Sequence, residues 1–237
     1  WDLAFDDSGG DSLMDTPAGI FARLAAQTVA DELAPPALLA LLKHPLLRLG
    51  QAQGAIAKTV GDLELALMRG PRPAAGSTGL AQDFARFRDE LGRLQRKEPS
   101  AIHHSEPRAQ LEDADLDDVQ ALIANLTAAL KPLEDLRRGK LHDLMEFAAR
   151  HYDALKTLTT DDKGVYLAFE DADGGALSKA FDDLFQTVDP SPEDSKPSAS
   201  GLTLTLGDYP DVFETTFGDR IVRRPQSSAS LRIYGPL

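Results

Sequence analysis

Prolines enclose the most apolar stretch of this chain. Pro35-Pro36 stand before Ala37–Lys43 and Pro45 follows it. Proline is tolerated at the start of a helix but not in its interior, and the residue before a proline avoids helical geometry. The enclosed run is apolar on nearly every side. It therefore predicts a short helix from Ala37 to Lys43 that is buried centrally, where each Leu contributes about 1.5 to 3 kcal/mol.

Helical periodicity continues on both sides of this run. Thr16 can cap a helix in which Pro17 takes the first position, and the apolar stripe of that helix reaches Leu33. The 42% hydrophobic content with only 6% aromatic residues favours helix over sheet. We predict a mainly α fold, with further helices over 53–69, 80–96, 116–130, 141–158 and 175–187 and loops over 70–79 and 99–107.

The pattern changes after residue 188. Three prolines and four serines make 189–201 the strongest candidate for a linker or disordered loop. Leu202–Leu206 alternates like a short strand, although it is also compatible with the approach to a helix beginning near Asp208. Short strands are predicted at Arg220–Arg223 and Leu231–Ile233. The C-terminal part is thus expected to be a short α/β portion.

Charge and composition restrict the function. The 237 residues carry a net charge of -13, which repels a phosphate backbone and argues against a free-standing DNA-binding module, while leaving room for a local basic patch. The chain has no cysteine, so disulfides, zinc ribbons, iron–sulfur clusters and thiol catalysis are excluded within it. No apolar run reaches about 18 residues, and Trp1–Asp7 lacks the basic start of a secretory signal. We expect a soluble, cytoplasmic protein.

No pattern of catalytic or metal-binding residues stands out. The acidic run Glu112–Asp118 lies where a helix beginning near Leu116 favours negative charge, and the acids around Asp161 and Asp171 are typical of turns and helix entries.

The histidines do not form a metal-binding pair either. His142 and His151 are nine residues apart on one predicted helix, about 180° from each other around its axis. His103 and His104 are adjacent in a loop, and His44 is expected to be a partly charged ring at a helix end. Phosphate loops and serine-hydrolase elbows are absent from the sequence, and Gly9-Gly10 is a weak phosphate candidate. We predict no catalytic, cofactor-binding or metal-binding residue in this chain.

Basic residues form two groups. One lies on the predicted helix Leu80–Lys97. The other lies near the C-terminus, where arginines could contact the phosphates of a DNA backbone. The alternative is that these arginines pair with acids such as Asp208, Asp211 or Asp219 and pin the C-terminal strand. The candidate residues for contacts to the DNA backbone are Arg220, Arg223, Arg224 and Arg232.

Several pieces of the chain, taken in order, resemble a known family. Thr16–Phe21 and Leu38–Leu46 are followed by Leu65–Pro73, Asp208-Tyr209-Pro210 and Leu231–Leu237. Together they resemble the middle of AddB, the partner subunit of the bacterial AddAB helicase-nuclease that processes broken DNA ends. The likeness is greatest to the proteobacterial members, and 99–199 matches only loosely.

The resemblance implies an internal, non-catalytic fragment. Residues 1–188 would be a helical subdomain like the 2B-type insertion of superfamily 1 helicases, and 202–237 would begin an α/β motor-like domain that continues beyond Leu237. The family implies double-strand break resection for recombinational repair, with an AddA-like helicase subunit and DNA ends as partners. ATP, magnesium and an iron–sulfur cluster would belong to parts of the parent outside this segment. The C-terminal arginines would then lie along the DNA path.

Two other functions stay open. The chain can be a helical protein–protein interaction module that is unrelated to DNA repair. A small carboxylate-based hydrolase is the third possibility, and the acidic residues of Glu112–Asp118 and around Asp171 would have to supply its chemistry.

Overall fold

The fold was taken from a computed structural model, which describes residues 5–7, 10–136, 139–188, 200–223 and 231–233. Within these ranges the chain is mainly helical, as predicted. The α-helices are α1 (Pro17–Ala30), α2 (Pro35–Leu42), α3 (Ala57–Leu63), α4 (Gly76–Gln95), α5 (Asp113–Glu134), α6 (Leu144–Thr159), α7 (Asp171–Val188) and α8 (Tyr209–Gly218).

Short strand pairs join distant parts of the chain. They are β1 (Phe5–Asp7) with β6 (Leu231–Ile233), parallel, and β2 (Asp11–Ser12) with β5 (Ile221–Val222) and β3 (His142–Asp143) with β4 (Thr203–Leu204), both antiparallel. Each pair connects a segment before residue 144 to one after residue 202. The strands predicted near 220–223 and at 231–233 are confirmed.

Helix α1 begins as its sequence predicts. The Thr16 hydroxyl accepts a hydrogen bond from the Gly19 amide at 3.2 Å and donates one to the Leu13 carbonyl at 2.7 Å, while Pro17 opens the helix. The helix ends at Ala30 rather than near residue 33, because Glu32 and Leu33 turn into the left-handed region, with φ of 56° and 58°. This turn leads directly into α2.

The core is organised around α1, which contacts α2, α5, α6, α7 and α8. Helix α2 is less central than predicted. Leu38, Leu41 and Leu42 are buried, but Ala40 is exposed and Leu39 is half-buried. An eight-residue helix at the side of the core thus buries one face, although its sequence is apolar all round.

Some helix boundaries differ from the sequence pattern for tertiary reasons. Helix α5 continues through Pro132, which lies in its last turn, so the helix ends within two residues of the proline and loses only the one hydrogen bond that this residue's amide would have donated. Helix α4 begins inside the predicted loop 70–79, because the Ser77 amide donates to Glu134 Oε1 of α5 at 2.9 Å. The predicted helix 53–69 is present as α3 followed by a single π-helical turn, Glu64–Met68.

The segment after the predicted linker shares the core of the helices before it. Phe213 and Phe217 of α8 lie in the same buried cluster as Phe21 of α1 and Phe181 of α7. Most of the predicted linker, 189–199, lies outside the described residues, and so does 234–237. The division into 1–188, 189–201 and 202–237, with an α/β domain continuing further, stays a prediction.

Candidate nucleic-acid interface

Arg220 follows α8 and is held in place by its neighbours. Its guanidinium donates to Asp183 Oδ2 of α7 at 2.7 Å, and its Cζ lies 5.9 Å from the centre of the Phe217 ring. Its carbonyl also accepts from the Leu13 amide at 2.7 Å. The acid paired with Arg220 is therefore Asp183 rather than Asp208, Asp211 or Asp219. With about a third of its side chain exposed, Arg220 combines a packing role with a reachable charge.

The other predicted contact residues are less constrained. Arg223 is exposed just beyond β5, and Gly10 approaches this strand closely. A Cβ on Gly10, whose φ is +71°, would stand 2.6 Å from the Val222 carbonyl oxygen. The close packing of β2 on β5 therefore accounts for the glycine at position 10, and a phosphate-binding role is not needed to explain it. Arg224 lies outside the described residues, and Arg232 is described by its backbone in β6, opposite Asp6.

The second basic group, on α4, is largely engaged by acids. Arg88 donates to Asp117 Oδ1 at 2.6 Å and to Gln120 at 2.9 Å, which ties α4 to α5. The other ion pairs stay within or next to α4, and exposed pairs of this kind typically contribute between 0 and about 1 kcal/mol. They are Arg86 with Asp83, Arg93 with Asp89 and Glu90, and Arg96 with Glu98.

The acidic residues weighed as metal ligands have structural partners. Glu112 and Asp115 form a capping box at the start of α5, which confirms the helix-entry interpretation, and Asp115 also pairs with Lys58 of α3. Asp161 Oδ1 accepts from the Val165 and Lys163 amides at 2.8 Å, and these bonds hold the pKa of Asp161 below its usual value. Across the described ranges, no group of three or more acidic or histidine side chains is placed to hold a metal ion.

Two histidines differ from their predicted roles. His44 follows α2, where its Nδ1 accepts from the Leu46 amide at 3.2 Å and its ring lies 5.0 Å from that of Phe21. Burial lowers the pKa of His44, and this shift favours the neutral ring over the partly charged ring that was expected. His142 is in β3 rather than on the helix with His151, and its Nδ1 lies 3.0 Å from Glu146 Oε2.

His151 has a role that the spacing of the histidines did not reveal. It is fully buried on α6, with Nε2 3.0 Å from the Ala22 carbonyl and Nδ1 2.9 Å from the Tyr209 hydroxyl. A carbonyl can only accept, so Nε2 carries the proton and Nδ1 accepts from Tyr209. Burial lowers the pKa of His151 to about 3. The neutral ring thus links α1, α6 and α8, and its position inside the apolar stripe of α6 was the signal available in the sequence.

Comparison with known proteins does not identify a relative. No protein-family model, curated protein or solved structure matches the chain. Among the helices that the structure describes, none combines the length and apolar character needed to span a bilayer.

Proposed function

We propose that this chain is a non-catalytic part of an AddB-like subunit of a cytoplasmic helicase-nuclease that resects DNA double-strand breaks for recombinational repair. It would act as a scaffold and as a contact surface for DNA and an AddA-like helicase subunit. ATP, magnesium and an iron–sulfur cluster would be bound by other parts of the parent protein.

The observation that carries this proposal is that the pieces resembling AddB lie at positions that determine the packing. Thr16 caps α1, Phe21 packs on His44, and Tyr209 opens α8 with its hydroxyl on His151. Leu231–Ile233 forms the strand that pairs with β1. Positions that determine packing are those a scaffold needs, so these contacts support a scaffold role for the chain.

Charge supports a DNA contact that depends on the parent complex. A net charge of -13 opposes DNA binding by the chain alone. Arg220 and Arg223 flank β5, and a larger assembly could bring them to the DNA path. Arg224 and Arg232 belong to the same predicted contact.

The test is reconstitution of the parent protein with an AddA-like helicase subunit from the same organism. We expect a stable complex that degrades linear double-stranded DNA when ATP and magnesium are present, and no such degradation by this chain alone. A parent that binds no helicase subunit, or a complex without ATP-dependent action on DNA ends, would contradict the proposal.

One observation favours the alternative, a helical protein–protein interaction module. The α4 arginines that could have formed a second DNA contact are paired with acids instead. The same reconstitution separates the two functions, since an interaction module requires neither a helicase subunit nor DNA ends.

A further inference from the structure

A cavity lies between the turn that follows α2 and the helix α3. Its volume is about 420 Å³, which is within the range of small-molecule sites. The turn is fixed to α6, because the Arg48 and Leu49 amides both donate to the Leu158 carbonyl, at 2.9 and 3.1 Å. We call this space, which residues 42–48 and 53–64 enclose, the α2–α3 cavity.

The wall of the α2–α3 cavity is mostly apolar. Leu42, Leu47 and Val60 line it and are almost fully buried. Pro45 and Ala57 line it as well, and both are exposed. The apolar part of a bound molecule would therefore cover the surfaces of Pro45 and Ala57.

Gly61 leaves the cavity open without a packing reason. It lies inside α3, where glycine is less favourable than alanine. A Cβ placed on Gly61 would meet no atom within 4 Å, so neighbouring side chains do not require a glycine at this position. A larger side chain here would occupy the space that the cavity provides.

The charged residues that line the cavity leave one positive charge unbalanced. Lys43 and Arg48 are its cations, and Glu64 is its acid. Lys43 Nζ donates to Glu64 Oε2 at 2.5 Å, and this bond is the main cause of the low pKa of Glu64. Arg69 also pairs with Glu64, so two cations already share this acid. Among the described residues, Arg48 forms no ion pair.

Arg48 is held in a way that leaves part of its guanidinium free. Its Nη1 donates to the Pro45 carbonyl at 2.5 Å and to the Leu47 carbonyl at 2.9 Å. Both acceptors are neutral, so they orient the group without cancelling its charge. Within the part of the chain that the structure describes, Nε and Nη2 have no partner. Two parallel N–H groups of a guanidinium match the two oxygens of a carboxylate.

His44 supplies a second, neutral donor. Its Nδ1 accepts from the Leu46 amide at 3.2 Å, so the neutral ring carries its proton on Nε2. Burial lowers the pKa of His44, which favours this neutral form. His44 lines the cavity, and its Nε2 has no hydrogen-bond partner in the described ranges.

We propose that the α2–α3 cavity binds a small monocarboxylic acid with a short apolar body. Arg48 holds the carboxylate, His44 donates a further hydrogen bond to it, and the apolar body covers Pro45 and Ala57. One unbalanced cation matches one negative charge, whereas a phosphate monoester would bring a charge of about -1.5 to -2. This inference does not depend on the proposed helicase-nuclease function.

The test titrates the whole chain by calorimetry with octanoate and 4-phenylbutyrate, and with the uncharged 1-octanol and 4-phenyl-1-butanol. We expect both acids to bind with dissociation constants below about 1 mM, and both alcohols to bind at least tenfold more weakly. Arg48→Gln should weaken the binding of the acids at least tenfold. The control Arg72→Gln also removes an arginine that donates to a backbone carbonyl, but outside this cavity, and should leave the binding within twofold.

A steric pair of variants tests the same cavity without changing charge. Gly61→Phe should weaken the binding of both acids at least tenfold, whereas Gly61→Ala should leave it within twofold. Circular dichroism melts check that each variant is folded. The proposal is overturned if neither acid binds, if the alcohols bind as tightly as the acids, or if Gly61→Phe leaves the binding unchanged.

Discussion

Replacing His151 by glutamine should remove much of the acid sensitivity of this fold. The unfolded ring has an ordinary pKa of about 6.5, whereas burial lowers the pKa of the native ring to about 3. Protonation therefore favours the unfolded chain. The stabilising contribution of the neutral ring is complete above about pH 6.5 and is lost as the pH falls toward 3.

The size of the effect follows from this difference. At pH 5 the unfolded ring is almost fully protonated while the native ring stays neutral, which lowers the free energy of unfolding by about 2 kcal/mol relative to pH 7.5. Glutamine keeps a donor for the Ala22 carbonyl and an acceptor for the Tyr209 hydroxyl but does not titrate. The His151→Gln variant should therefore lack this loss, whatever its own stability at pH 7.5.

The assay is urea unfolding followed by circular dichroism at pH 7.5 and pH 5.0, on the wild type, His151→Gln and the control His103→Gln. His103 is exposed in a loop, so its variant should keep the wild-type pH dependence. Other titrating groups cancel when the variants are compared. If the difference in the free energy of unfolding between wild type and His151→Gln is the same at both pH values, the conclusion that the buried ring of His151 is neutral is refuted.

Three more outcomes are expected. Leu41→Ala should lower the free energy of unfolding by about 2 to 5 kcal/mol, and Leu39→Ala, at a half-buried position of the same helix, by clearly less. Equal losses in urea melts would contradict the one-sided burial of α2. Asp143→Ala should lower the free energy of unfolding by about 1 to 3 kcal/mol, because Asp143 caps α6 at the Met145 amide and also accepts from the Ser200 and Gly201 amides. An unchanged melting temperature would show that these hydrogen bonds do not stabilise the fold. Arg223→Glu should weaken the binding of DNA ends by the reconstituted parent complex while shifting stability by under about 0.5 kcal/mol, and unchanged DNA affinity would remove Arg223 from the proposed interface.

Local signals in the sequence were enough to predict much of the helical framework. The cap of Thr16 with Pro17, the two prolines that open α2, and the acidic entry to α5 act within one helical turn, so their outcome does not depend on distant residues. Tyr209 and Pro210 begin α8 close to the predicted residue for the same reason. Helix bounds differed where a distant side chain intervened, as Glu134 does at the start of α4.

The partners of the polar side chains were decided by the tertiary structure. The ion pair of Arg220 joins residues 37 positions apart, and the hydrogen bonds of His151 reach 58 and 129 positions along the chain. Residue type and spacing cannot specify which helix faces meet, yet that meeting determines whether a histidine is neutral or an arginine is paired. The sequence alone therefore determined where helices form, and packing determined which charges stay available for a partner.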